Sequence, residues 1–280
     1  MDSQTTEPSY RLGFIGAGKL AGSVIRGLVR AKFCPPTEII ASEPNENTRA
    51  ALRDEAGIHV TGENAEVAEK ANVVLIGVKP GVVLSVLRET SAALGKKVLI
   101  SLAAGVRLAA MESVANAHVM RAMTNTPSAI CRAATAIARG ARTSNEDLEL
   151  ARKIFSAIGV VVEVEEERID AVTALSGSGP AFVYTVIEAL AQGGEKSGLS
   201  PDVALTLATQ TVLGAAALAS ESKLSPEDLR KMVVTPGGTT AAGLAEMEKL
   251  GTAQGLIAAV KAATKRGREM AEEVARASSP

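Results

Sequence analysis

Up to about residue 165 the chain alternates short apolar runs with stretches in which apolar residues recur at helical spacing. The runs fall at 12–15, 38–41, 73–78, 98–101, 118–123 and 160–164, and each is of strand length. Between the first two, Leu20, Val24 and Leu28 recur every fourth position with Ile25 beside them, and Pro35-Pro36 stops the helix before the next strand. A second helix is expected over about 45–56. Alternation of this kind builds a mostly parallel sheet with helices on both faces.

After Ile169 the pattern is helical only. Ser178 to Pro180 opens a helix whose Phe182, Val186 and Leu190 share a face with Val183 and Ile187, and Gly198 closes it. Ser200-Pro201-Asp202 and Ser225-Pro226-Glu227 each set a capping serine before a proline at the first helical position, with an acid in the first turn. A last helix over about 252–277 would be roughly 38 Å long, which predicts packing across a subunit boundary. The apolar stretch 205–219 is interrupted by Thr206, Thr209, Gln210 and Thr211. It reads as a helix buried on most sides, with another subunit as one candidate cover, rather than a membrane span. The expected organisation is therefore a polar, flexible tail (1–9), a doubly wound, mostly parallel α/β domain (10–165), and an all-helical domain (166–280).

Composition narrows the function. Thirty Lys and Arg against thirty-one Asp and Glu leave a net charge of -1, far from the basic field that nucleic acid requires. With no Trp, two Tyr and four Phe, there is also little surface for stacking bases. Cys34 and Cys131 lie too far apart for a zinc site and are too few for a disulfide framework, so both read as buried thiols of a reducing compartment and no metal is expected. Met1 to Ser9 has the order of neither a signal nor a transit peptide, so a cytoplasmic protein without membrane or nucleic-acid partners is expected.

The candidate chemistry begins at Gly16-Ala17-Gly18-Lys19-Leu20-Ala21, which follows a strand and opens a helix. Gly16 makes the tight turn, Gly18 admits the pyrophosphate, Ala21 lets the helix sit close on the sheet, and the helix N-terminus offers N–H groups to the phosphates. At the end of the second strand an acid selects NADH by binding the ribose 2′-OH. Here Ser42, Asn45 and Arg49 suit a 2′-phosphate while Glu43 suits the unphosphorylated cofactor, so the segment supports either one.

Two further turns, Ser176-Gly177-Ser178-Gly179-Pro180 and Thr235-Pro236-Gly237-Gly238-Thr239-Thr240, each present amides and hydroxyls at a helix start. Together they suit a substrate carboxylate. The two histidines, His59 and His118, sit on strands and read as structural. Alcohol oxidation wants a positioned base, whereas a protonated C=N bond needs little more than placement against the nicotinamide, with a hydroxyl such as that of Thr240 to orient or relay a proton.

These residues resemble the pyrroline-5-carboxylate reductases from about Arg11 to Met270. The anchors are Phe14-Ile15-Gly16-Ala17-Gly18, Val78-Lys79-Pro80, Ala103-Ala104-Gly105, Met123-Thr124-Asn125-Thr126-Pro127, Leu175-Ser176-Gly177-Ser178-Gly179-Pro180-Ala181 and Pro236-Gly237-Gly238-Thr239-Thr240. The resemblance implies reduction of the cyclic imine to L-proline with NADPH, or with NADH. It also implies that 10–165 is a Rossmann-type dinucleotide-binding domain, that 166–280 is a helical substrate and dimerisation domain interlocking with a second subunit, and that dimers gather into a larger ring such as a decamer. By position it assigns the cofactor to Ile15, Gly16, Ala17, Gly18, Lys19, Leu20, Ser42, Asn64, Val78, Lys79, Pro80, Ala103, Ala104 and Gly105. It assigns the substrate to Glu166, Ser176, Gly177, Ser178, Thr235, Gly237, Gly238, Thr239 and Thr240, with the Thr240 hydroxyl meeting the imine nitrogen. Phe182 and Val234 depart from the residues common there without removing a group the chemistry uses. A β-hydroxyacid dehydrogenase would rely on a lysine near the position of Lys196, which reads as a solvated helix-end residue, and a dinucleotide sensor would lack the two carboxylate turns.

Overall fold

The computed structural model describes residues 10–277, so the expected tail at 1–9 lies outside the described residues. Contacts group the chain into two compact units, one of residues 10–178 with 261–277 and one of residues 179–260.

The first unit runs β1 (Tyr10–Ile15), α1 (Lys19–Arg30), β2 (Ile39–Ser42), α2 (Glu46–Ala56), β3 (His59–Thr61), α3 (Asn64–Lys70), β4 (Ala71–Ile76), α4 (Val83–Leu94), β5 (Val98–Ser101), α5 (Leu108–Glu112), β6 (His118–Met123), β7 (Ala133–Arg139), α6 (Asn145–Ser156), β8 (Gly159–Glu163) and α7 (Ile169–Val172). The strands form one sheet in the order β3-β2-β1-β4-β5-β6-β7-β8. Every neighbouring pair is parallel except β6 with β7. The order reverses at β1, which pairs with both β2 and β4, and such a switch point leaves a crevice beyond the carboxyl ends of the strands.

Strand alternation divides the core in two. Leu12 and Phe14 of β1, Val73 and Leu75 of β4, and Val98 and Ile100 of β5 join one buried cluster with Val24, Ile25 and Leu28 of α1. Ile15, Val74, Ile76 and Leu99 face the other side, against Val83, Leu84 and Leu87 of α4. Because both faces are covered, these strands read as unbroken apolar runs. Each such side chain contributes about 1.5–3 kcal/mol on burial.

Three expectations need correction. The run at 73–78 lies two residues earlier as a strand, at Ala71–Ile76. β7 was not anticipated: its AATAIAR sequence lacks a run of branched residues and is held instead by its antiparallel pairing with β6. Cys34 is buried, which pushes its thiol pKa up, whereas Cys131 is only half-buried.

The second unit contains α8 (Gly179–Lys196), α9 (Pro201–Glu221), α10 (Pro226–Met232), α11 (Thr239–Lys249) and the start of α12 (Thr252–Ala277), whose residues from 261 on belong to the first unit. Ser225 caps α10 by accepting from Asp228 N at 3.1 Å, with Pro226 at the first helical position. Ser200 precedes α9 in the same way, but its side chain makes no capping bond. The buried apolar cluster of this unit is only Ala191, Ala204 and Ala208, with Ile187 packed against it. α9, expected to be buried on most sides, has Val203, Leu205, Leu207, Leu213 and Leu218 exposed in the single chain. By length and composition α9 could also cross a membrane.

Candidate active site

The glycine turn sits between the carboxyl ends of three strands. Gly16 N donates to Ser42 O at 3.0 Å and Gly77 N donates to Ile15 O at 2.8 Å, while Leu102 N donates to Ile76 O at 2.9 Å. Gly16 has φ +84°, and a Cβ there would lie 2.6 Å from Val78 Cγ1 and 2.9 Å from Val78 N, so the turn admits only glycine. Gly18 is the N-cap of α1, and no side chain caps this helix and no acid stands in its first turn. A Cβ on Gly18 would point into open space. An uncapped helix start beside open space fits a dinucleotide pyrophosphate.

A cleft of about 580 Å³ opens at this point. Its walls are Gly18, Lys19, Leu20, Gly77, Val78, Lys79, Pro80, Leu102, Ala103, Ala104, Met123, Thr124, Asn125, Thr126, Thr173, Gly177 and Ser178. It therefore joins eight of the expected cofactor residues to Gly177 and Ser178, expected on the substrate side. Ile15, Gly16 and Ala17 are buried and do not line it. Gly105 is buried at φ +73°, and a Cβ there would approach Ala271 N of α12 to 3.3 Å.

Ser42, at the end of β2, is buried; its hydroxyl donates to Asn64 Oδ1 at 2.8 Å. Glu43 turns its carboxylate back to accept from Asn45 N at 3.2 Å. Asn45 caps α2, accepting from Thr48 N at 3.0 Å. Arg49 Nη1 donates to Glu43 O at 2.6 Å and to Pro44 O at 3.0 Å, and Arg49 also pairs with Glu46. The segment is thus tightly bonded to itself, with a guanidinium held at its surface.

Ser176 and Gly177 end a π-helical turn (Thr173–Gly177), in which Ser178 N donates to Thr173 O at 2.8 Å. Turns of this kind frequently mark functional sites. Ser176 Oγ donates to Val172 O at 3.1 Å. Glu166 is not in this cleft. Its Oε1 accepts from Leu108 N at 2.7 Å and from Arg121 Nη1 at 3.0 Å, and a neighbouring pair joins Arg107 to Asp170 at 2.7 Å. Arg121 is 1% exposed. Burial pulls its pKa down, and Glu166 opposes that shift by favouring the charged form.

In the second unit, Gly238 N donates to Thr235 O at 3.0 Å, Gly237 has φ +75°, and Gly238 is the N-cap of α11 without a side-chain capping bond. Thr239 and Thr240 begin that helix; Thr240 is half-buried and Thr235 exposed. Lys196 is the exposed last residue of α8. Both histidines lie at the amino ends of strands: His59 stacks on Tyr10 with ring centroids 5.5 Å apart, and His118 Nδ1 lies 2.7 Å from Asp147 Oδ2. The residues not anticipated in the cleft are Gly77, Leu102, Met123 to Thr126 and Thr173. The Thr124-Asn125-Thr126-Pro127 run after a strand was their one sequence signal.

Residues 166–270 match a family model described as pyrroline-5-carboxylate reductase dimerisation. Residues 11–105 match one described as NADP oxidoreductase, coenzyme F420-dependent. A pyrroline-5-carboxylate reductase of Pisum sativum is 44% identical over 264 residues, covering 94% of this chain and 96% of that relative. Among solved structures, a pyrroline-5-carboxylate reductase from Coxiella burnetii is 34% identical with a TM-score of 0.85, covering 94% of this chain and 98% of the other. A Plasmodium falciparum pyrroline carboxylate reductase with NADP bound is 28% identical with a TM-score of 0.85, covering 95% and 99%.

Proposed function

The chain belongs to the pyrroline-5-carboxylate reductase family, and we infer that it reduces the C=N bond of 1-pyrroline-5-carboxylate with NAD(P)H, giving L-proline. The observation that carries this reading beyond kinship is the single cleft shared by the uncapped start of α1 and the Gly177-Ser178 turn. Bound NAD(P)H supplies the hydride. The amides at Gly18 and Lys19 would hold its pyrophosphate, with Val78 to Pro80, Ala103 to Gly105 and the Ser42–Asn64 pair as the other residues that would hold the dinucleotide. Arg49 favours NADPH, because a guanidinium beside the end of β2 attracts a 2′-phosphate while Glu43 is turned onto its own backbone.

Ser176 to Ser178 in the first unit, and Thr235, Gly237, Gly238 and Thr239 in the second, each offer amides and hydroxyls suited to a substrate carboxylate. The Thr240 hydroxyl orients the proton at the imine nitrogen. No histidine is needed, since an iminium carbon accepts hydride without a base to create it. Glu166, which the family's pattern places at the substrate, here holds Arg121 and the start of α5.

The same reading makes the protein a cytoplasmic homodimer formed through the helical unit, with dimers gathered into a larger ring such as a decamer. The apolar surface of α9 is then subunit interface rather than a membrane span, in keeping with the dimerisation match over 166–270. The test is oxidation of NADPH and of NADH with pyrroline-5-carboxylate and, separately, with a β-keto acid. Turnover with the imine alone is expected; tight cofactor binding without turnover of either would leave a sensor. Thr240→Ala should lower kcat by about tenfold to a hundredfold with cofactor affinity nearly unchanged, and an unaltered kcat would remove Thr240 from the chemistry.

A further inference from the structure

Asn125 follows β6 and is 8% exposed, yet its side chain reaches two separate parts of the first unit. Its Oδ1 accepts from Ala134 N of β7 at 3.1 Å, and its Nδ2 donates to Ser176 O at 3.1 Å. The partners fix the amide's orientation, because Ala134 N–H can only donate and the Ser176 carbonyl can only accept. The carbonyl it grips lies within the π-helical turn, one residue before the glycine that lines the cleft.

The segment after Asn125 is anchored just as firmly on the other side. The 3₁₀ turn Thr126–Ile130 packs on α1, where a Cβ on Gly27 would overlap the Ser128 backbone, and Ser128 Oγ donates to Ser23 Oγ at 2.9 Å. Behind Asn125, the buried hydroxyls of Thr124 and Thr135 meet at 2.8 Å and lock β6 to β7. A short, fully bonded segment therefore connects the helix that begins at the dinucleotide turn to the turn that carries Ser176, Gly177 and Ser178.

We propose that Asn125 is a positioning residue for imine reduction, setting the Ser176-Gly177-Ser178 turn at a fixed distance from the α1 start so that substrate and nicotinamide meet in register. The proposal rests on the reductase reading above. Its physical basis is that placement supplies most of the rate in a site without a general base, so a small displacement of the substrate turn is costly. Neither amide hydrogen bond is needed to close the sheet, which is held by its own ladder.

The test compares Asn125→Asp with Asn125→Ala. Asp keeps the size and the acceptor for Ala134 N but sets a carboxylate oxygen against the Ser176 carbonyl. In both variants KM for pyrroline-5-carboxylate should rise and kcat should fall, with kcat/KM down by about tenfold or more, while the NADPH dissociation constant stays within about twofold of wild type. A merely structural residue would lower the active fraction, and hence kcat, without moving KM; that result, or unchanged kinetics in the Asp variant, overturns the proposal. Hydrogen exchange adds a readout independent of activity. The amides of Gly177 and Ser178 should exchange faster in the Asp variant, and equal exchange overturns the proposal even if the wild-type protein proves inert toward the imine, an outcome that would separately defeat the reductase reading. Should neither variant fold, wild-type protein decides: peptides over 124–134 and 173–178 should gain protection together on adding NADP⁺ with L-proline, and protection of one alone overturns the link.

Discussion

Leu28 of α1 is 0% exposed and Leu205 of α9 is 52% exposed, although both lie on helices rich in apolar residues. In the α/β unit each long helix presents one stripe, and the sheet covers it. In the helical unit α9 leaves Val203, Leu205, Leu207, Leu213 and Leu218 exposed, and only Ala204 and Ala208 are buried. A contiguous set of open leucines and valines belongs against something larger than its own chain's fold. The first unit thus completes its core alone, whereas the second carries a surface that a partner must finish.

The sharpest way to break this contrast is inside the first unit. Glu166→Ala should cost about 3–5 kcal/mol in urea unfolding, since it strands the buried Arg121 guanidinium without its carboxylate. The loss should be the same at every protein concentration. In the second unit, Leu205→Glu should weaken the proposed dimer about hundredfold by sedimentation, the scale of a central interface residue, and leave the unfolding of the α/β unit unchanged. Unaltered sedimentation would show that this face of α9 is not the interface.

The smallest expected effect tests the periphery of the first unit. Burial works against the ionised form of Asp147, yet bonds from Ser144 and His118 hold its carboxyl below the ordinary range. A depressed folded pKa stabilises fully above the unfolded value of about 4, and that stability is lost as pH falls through the folded value. Asp147→Asn should therefore cost about 1 kcal/mol near neutrality, and its Tm should converge on wild type in acid.

Much of the α/β unit was legible along the chain, because both sheet faces are buried and its central strands stand out as apolar runs. β7 was not, since an alanine-rich strand owes its existence to β6 rather than to its own propensity. The glycine turn was legible because φ and close approach at Gly16 leave no other residue possible. Arg121 and Asn125 were not, for the opposite reason: each acts through partners 45 and 51 positions away, Glu166 and Ser176, and nothing in a local window pairs them. The burial expected for α9 is not completed within the single chain, because periodicity reports that a face is apolar and never says what covers it.

α12 has a consequence for the order in which the molecule can be made. Residues 261–277 pack with the α/β unit, with Ala271 buried and its backbone close to Gly105, yet they follow the whole helical unit in the chain. On the ribosome, all eight strands emerge well before that wall exists. The nascent α/β unit must wait through the synthesis of another unit before the loop at Ala103 to Gly105 gains its final support. A chain stopped short after α11 would hold a full sheet with the loop at Ala103 to Gly105 unsupported.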